Sequence, residues 1–379
     1  MEPEYQLIET FAGLEAIIGT LGTEKAIAVD LEADSMFHFR ERVCLLQIAA
    51  GKVNAVIDPL QIKNLSPLKP IFESLDIKKI FHGADYDVRS LYRDFNFEIN
   101  NLFDTQLASK FLGIRQTGLE SVLQARFNVS LNKKYQRKDW SMRPLPEAMI
   151  SYAANDVRYL LPLAKILEKE LAAKGRLSWV VEECEYLSRV RPIQNDHDPL
   201  FLHFKGAGRL DPKSLAVLEA LLAFRRKLAC KKNRPLFKVF SHKSLMTLAV
   251  EKPDTIENLE KVKALSSRQV KMYGDDLTAI INTAKQTPAR ELPVYPRRKA
   301  PVVHPATPDR IKLLKNWRDK KARKLKIEPG MLINKNLLTA IAVRNPSEVK
   351  YLADIGDLKQ WQISEFGPEI IAALQPPAK

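Results

Sequence analysis

The C-terminal half of this 379-residue chain carries one pattern twice, and that duplication limits its architecture more than any other feature. At a constant offset of 93 positions, without gaps, Leu218 pairs with Ile311, Leu221 with Leu314, Phe224 with Trp317 and Arg225 with Arg318. The same register joins Val239 to Leu332, Ser241 to Asn334, Pro253 to Pro346, Tyr273 to Phe366, Gly274 to Gly367 and Leu277 to Ile370. Apolar positions meet apolar ones, a cap meets a cap, and a Pro and a Gly meet themselves. This predicts two helical domains of one fold. Asp211-Pro212 supplies an N-cap and a proline at the first helical position, opening a helix to about Lys231. Ser241, and then Ser266 or Ser267, read as further caps. Six prolines between Thr287 and Pro308 read as a stiff, exposed linker. The predicted domains are 205–288 and 304–376, with the linker at 289–303.

Charge separates the halves. Residues 1–200 hold 25 Lys/Arg against 28 Asp/Glu, whereas residues 201–379 hold 35 against 17. A C-terminal half this basic calls for a polyanionic partner, and nucleic acid is the usual one. No apolar run is long enough to span a membrane, and the acidic start MEPEYQLIET lacks a secretory h-region, so a cytoplasmic location is expected. Three scattered cysteines, Cys44, Cys184 and Cys230, form neither a disulfide framework nor a zinc knuckle. No coiled-coil pattern is present, which favours a monomer.

The first 190 residues read differently. Short apolar runs at Ala26–Glu32, Val43–Ala50, Asn54–Asp58 and Lys78–Phe81 read as strands. Amphipathic stretches at Pro67–Leu75, Ala84–Phe95, Asp104–Phe111, Gly118–Phe127 and Pro146–Leu171 read as helices. Together they predict an α/β domain, a central mixed sheet flanked by helices.

Within it, acidic residues recur in a suggestive order. Asp30 and Glu32 lie two apart on a predicted strand, so both carboxylates share one face. FHGADYDVRSLYRDF then offers Asp85 and Asp87 where a strand runs into a helix, and helical periodicity does not choose between them. In SYAANDVRYLLPL, Tyr152 and Asp156 are four apart and share a helical face. Two divalent cations can hold the attacking and leaving oxygens of a phosphoryl displacement, and hard cations such as Mg²⁺ take carboxylate ligands from several elements. The chain has no phosphate-binding G-x-x-x-x-G-K-[ST] loop and no G-x-S-x-G elbow.

The order D-x-E, H-x₄-D, Y-x₃-D resembles the DEDDy 3′→5′ exonucleases, and the wider pattern resembles the ribonuclease D family. The YAA-x-DV-x-YLLPL stretch, Phe103-Asp104-Thr105 and Asp139-Trp140-x-x-Arg143-Pro144-Leu145 carry the likeness. Both C-terminal repeats resemble the HRDC domain. The resemblance implies a ribonuclease H-like exonuclease domain at 1–190 followed by two all-α HRDC-like domains. Its H-x₄-D spacing from His82 selects Asp87. It implies that Asp30, Glu32, Asp87 and Asp156 hold two divalent cations (Mg²⁺ or Mn²⁺). Tyr152, with an ordinary pKa of about 10, is expected to orient the attacking water. The expected activity is release of 5′-mononucleotides from RNA 3′ ends, with tRNA precursors bearing 3′ extensions as substrate. The rival readings are a DNA-directed 3′→5′ exonuclease and an inactive RNA-binding scaffold.

Several residues are candidate substrate contacts. The segment 132–145, NKKYQRKDWSMRPL, interleaves cations with aromatics, which suits a single-stranded tail, and makes Trp140 and Arg143 candidates. His82 reads first as a structural histidine and second as a substrate contact. Arg225 and Arg318 lie in matching basic clusters of the two repeats.

Overall fold

The structure, a computed structural model, describes residues 5–131, 133–192, 198–296 and 304–375. Asn132 and the 297–303 part of the expected linker lie outside the described residues. The chain divides into two compact units. One comprises 1–33, 43–192 and 301–379; the other comprises 34–42 and 193–300.

The first unit is built on a six-stranded sheet of order β1-β4-β3-β2-β5-β6. Its strands are β1 (Gln6–Ile8), β2 (Ala26–Ala33), β3 (Val43–Ala50), β4 (Val53–Ile57), β5 (Lys78–Phe81) and β6 (Leu102–Asp104). β2, β3 and β4 pair antiparallel, while β1 on β4, β5 on β2 and β6 on β5 are parallel. Every residue of VCLLQIAA in β3 is buried, as befits a central strand covered on both faces. Around the sheet lie α1 (Phe11–Thr23), α2 (Lys69–Glu73), α3 (Asp85–Phe95), α4 (Thr105–Leu112), α5 (Leu119–Phe127), α6 (Glu147–Arg158), α7 (Leu160–Ala173) and α8 (Leu177–Ser188).

The single helix expected over Pro146–Leu171 is two. Pro162 has no N–H to give the carbonyl four residues back, and the helix breaks at Tyr159. The short β1 and β6 escaped the sequence reading because three residues cannot display a period.

The first helical repeat forms α9 (Pro212–Lys231), α10 (Leu236–Val239), α11 (His242–Glu251), α12 (Ile256–Val262) and α13 (Ser267–Lys285), with their own hydrophobic core. Asp211 and Ser241 cap α9 and α11. Of the two serines, Ser266 caps α13, in a reciprocal pair with Gln269. The second repeat forms α14 (Thr307–Leu325), α15 (Pro329–Leu332), α16 (Lys335–Arg344) and α17 (Gln360–Leu374). It belongs to the first unit, and its core is continuous with that of the sheet domain. Among the described residues no strand follows β6, and no helix is long and apolar enough to cross a membrane.

Candidate active site

β2 places Asp30 and Glu32 on one face of the sheet, while Val29 and Leu31 are buried on the other. α6 packs against β2, β3 and β4. Its residues Met149, Ile150, Ala153, Ala154 and Val157 are buried, and Tyr152 and Asp156 occupy one stripe of the same helix. The third acidic element is α3. Of its two acids, Asp85 is exposed and ion-paired with Arg89 at 2.9 Å, whereas Asp87, the one the resemblance selects, is buried.

Asp104 holds the β5–α3 junction in place. Its carboxylate accepts from the backbone N–H groups of Gly83 and Ala84 at 3.0 and 2.9 Å. It also accepts from Gln106 and Leu107 at 2.8 and 3.0 Å, capping α4. One acid thus ties the start of α4 to the turn that delivers Asp87.

The electrostatics show that the four acids share one neighbourhood. Burial raises the Asp30 pKa to about 6, against a smaller opposing pull from a hydrogen bond with the Leu31 backbone. Burial and then the charges of Asp30, Asp156 and Asp87 hold Glu32 well above the usual range. Asp87 is likewise raised well above it, by burial and then by Asp30, Asp104 and Asp85. Asp156 is pushed up to about 8 by burial and Asp30, although Tyr152 donates a hydrogen bond to it. Tyr152 itself is raised by burial and by Asp156, Glu32 and Asp30, so it stays protonated.

No Lys, Arg or His forms an ion pair with Asp30, Glu32, Asp87 or Asp156 among the described residues. Four clustered carboxylates without a counter-charge are costly, and an oxygen-seeking divalent cation is the ligand this donor set fits. Among the described residues no three His, Cys, Asp or Glu side chains stand in metal-ligating geometry.

One residue near the acids went unremarked in the sequence. Gln47 stands directly across from Asp30 in the β2–β3 pair, fully buried, with both amide atoms unpartnered. The signal was available: it is the single polar residue in VCLLQIAA.

The expected substrate contacts need correction. Trp140 is only 1% exposed and packs on Tyr152 at a centroid distance of 6.0 Å, so it cannot stack a nucleobase. Arg143 is occupied by Asp58, at 2.5 and 2.8 Å, and by the Cys44 and Trp140 carbonyls, both at 2.8 Å. Arg225 is turned inward to the Phe240 carbonyl at 3.5 Å. Arg318 does the same to the Ile333 carbonyl at 3.2 Å and pairs with Asp319 at 2.8 Å. Both brace the fold from within. His82 is structural: Nε2 donates to the Thr117 carbonyl at 2.9 Å, and Nδ1 meets the Thr105 hydroxyl at 2.8 Å. Burial lowers its pKa, which favours the neutral ring.

Comparison with known proteins agrees with this architecture. Residues 5–172 match the 3′–5′ exonuclease family, and residues 214–281 and 308–374 each match the HRDC domain. The fold and its acidic face therefore define a 3′–5′ exonuclease joined to two HRDC domains. Ribonuclease D of Pseudomonas paraeruginosa is 28% identical over 98% of both chains. That of Acidiphilium cryptum is 31% identical over 78% of this chain and 76% of its own. The crystal structure of Escherichia coli RNase D, described as an exoribonuclease involved in structured RNA processing, aligns with a TM-score of 0.74. It is 25% identical and covers 98% of each chain. The chain belongs to the ribonuclease D family and is a 3′→5′ exoribonuclease, a hydrolase.

Proposed function

We propose that the enzyme trims 3′ extensions from tRNA precursors, releasing 5′-mononucleotides by two-metal-ion hydrolysis. The observation that carries this reading is the uncompensated cluster of Asp30, Glu32, Asp87 and Asp156. These four would hold two Mg²⁺ or Mn²⁺ ions. Such ions lower the pKa of bound water and stabilise the departing 3′-oxygen. Tyr152 would orient the attacking water by a hydrogen bond to its phenol oxygen while its own proton goes to Asp156, and its raised pKa makes it a poor base. The carboxylates hold their positions because they sit on three rigid elements: Asp30 and Glu32 on β2, Asp87 on α3 and Asp156 on α6. The enzyme acts as a monomer in the cytoplasm, a reducing setting that suits cysteines held in no disulfide among the described residues.

The test is matched degradation of a 3′-extended tRNA precursor and of single-stranded DNA of equal length, with Mg²⁺, Mn²⁺ or EDTA. Stepwise release of 5′-mononucleotides from RNA, abolished by EDTA and reduced at least about a thousandfold in Asp156→Asn, is expected. Full activity in excess EDTA, or faster attack on DNA, would overturn it.

A further inference from the structure

Where the second HRDC domain meets the exonuclease domain, within one compact unit, lies a cleft of about 900 Å³. That size falls within the range of ligand clefts, roughly 300–1,000 Å³. Its rim carries Lys110 and Arg115 from the exonuclease side, and Arg323 and Lys326 from the helical domain. Glu328 is the one acid among its lining residues, and Ile114, Ala322, Ile327 and Met331 provide apolar surface. None of the four cations is ion-paired among the described residues. Lys110 donates only to the Gln106 side chain at 3.1 Å, and Arg323 to the Asp319 carbonyl at 3.2 Å.

The cleft is held in shape. Gly113, at φ +88°, lets the exonuclease backbone pass so close to the Lys326 carbonyl that a built Cβ would lie 2.2 Å from its oxygen. Arg176 bridges the two sides, donating to the Phe111 carbonyl at 2.8 Å and to the Leu325 carbonyl at 3.0 Å. The cleft also adjoins the segment that delivers Asp87. Thr117, in its wall, accepts from His82, and the Gln106 side chain that receives Lys110 lies over Gly83, 3.5 Å from a Cβ built there.

This charge is not a general property of the repeat. At the 93-residue offset, Arg323 and Lys326 correspond to Cys230 and Asn233 in the first domain. Unpaired cations from two domains, over an apolar floor, suit a chain of phosphates better than one small anion.

We propose that this cleft binds the phosphodiester backbone of the RNA substrate upstream of its 3′ end, with Lys110, Arg115, Arg323 and Lys326 as phosphate ligands. The proposal rests on the chain acting on RNA.

The experiment compares wild type with K110Q/R115Q/R323Q/K326Q and with a control losing equal charge elsewhere on the second domain, K312Q/K315Q/K320Q/K335Q. Affinity for a long single-stranded RNA is measured in EDTA across a salt series, and hydrolysis of that RNA and of a dinucleotide in Mn²⁺. The cleft variant should bind the long RNA at least about tenfold more weakly, with its salt slope reduced by about 2–3. The control should change less than about threefold, with the wild-type slope. Dinucleotide hydrolysis should be unchanged in the cleft variant, because a dinucleotide has a single phosphodiester and that one is engaged at the acidic site. That result also shows the variant is folded, and Arg115→Glu alone should weaken long-RNA binding in the same direction. Equal losses in the two variants, or an unaltered slope in the cleft variant, overturn the proposal. So does competition by polyglutamate as strong as that by RNA of equal charge, which would assign the cleft to an acidic protein segment. A wild type that hydrolyses no RNA would overturn the functional reading itself. A wild type active on both substrates, beside a cleft variant of unchanged KM for long RNA, would remove only the cleft.

Discussion

The two HRDC domains follow the same plan almost residue for residue. α10 and α15, and likewise α11 and α16, begin and end at the 93-residue offset. Both copies of the second helix pair end in a left-handed residue, Lys252 at φ +48° and Asn345 at φ +46°. Gln269 donates to the Val239 carbonyl as Gln362 does to that of Leu332, and Arg225 matches Arg318 in its inward bond. A short 3-10 turn at Val349–Leu352 stands where the first repeat has α12, and the start of the last helix differs too. In the first domain Ser266 accepts from Gln269 at 3.3 Å and caps its own helix, and Arg268 is exposed. In the second, the N–H groups of Gln360 and Trp361 donate to the Glu182 carboxylate on α8, both at 2.7 Å. The Trp361 ring stacks on Trp179 at 4.8 Å and meets Phe111 edge-on at 5.6 Å. A shared internal fold therefore leaves docking undecided. A few side chains at one helix terminus make the second copy part of the catalytic unit, while the first keeps a core of its own.

The sharpest break of that comparison is at position 361. Trp361→Ala should cost about 3–5 kcal/mol, because a buried aromatic at a three-ring junction is lost. The equivalent Arg268→Ala should stay within about 0.5 kcal/mol. Calorimetry should show Trp361→Ala lowering the transition of the unit that contains the sheet and leaving that of the first HRDC domain in place. Equal effects of the two changes would remove the distinction.

Metal and pH should separate the units as well. Asp30 and Asp156 have folded pKa values of about 6 and about 8, above the ordinary value of about 3.9 for an aspartate. A raised pKa contributes stability below pH 4 that is lost as pH climbs through those values. Without metal, the Tm of the sheet-containing unit should therefore fall between pH 5 and 8. Mn²⁺ at a hundredfold over its Kd should restore about 2.7 kcal/mol at neutral pH. The first HRDC domain should respond to neither, and a metal-induced shift in its transition would contradict the assignment of the carboxylates.

The smallest effect tests the likeness rather than the difference. A Cβ built on Gly274 would lie 2.7 Å from Ile256, and one on Gly367 would lie 2.7 Å from Val349. Alanine at either position should cost about 1–3 kcal/mol through overpacking. Thermal unfolding of the two variants should show losses of similar size, each in its own unit.

Much of the candidate site could be read in the sequence because it depends on local periods. The strand period places Asp30 and Glu32 on one face, and the helix period aligns Tyr152 with Asp156. Asp85 and Asp87 could not be told apart that way, since both lie in the first turn of α3; the spacing of the resemblance chose Asp87, and in the fold Asp87 is the buried one while Asp85 is exposed. Trp140 and the arginines at 143, 225 and 318 misled for the same reason. Cations and aromatics look alike in sequence whether they face solvent or brace a core.

By itself, then, the sequence determined the two repeats, the acidic order, the charge split and the strands that hold Asp30 and Glu32, because each is written in spacing along the chain. Only the tertiary structure decided that the second repeat shares a core with the nuclease while the first does not, and that a basic cleft opens at that junction. Docking depends on how distant surfaces such as Trp179 and Trp361 meet, and no local period records such a meeting.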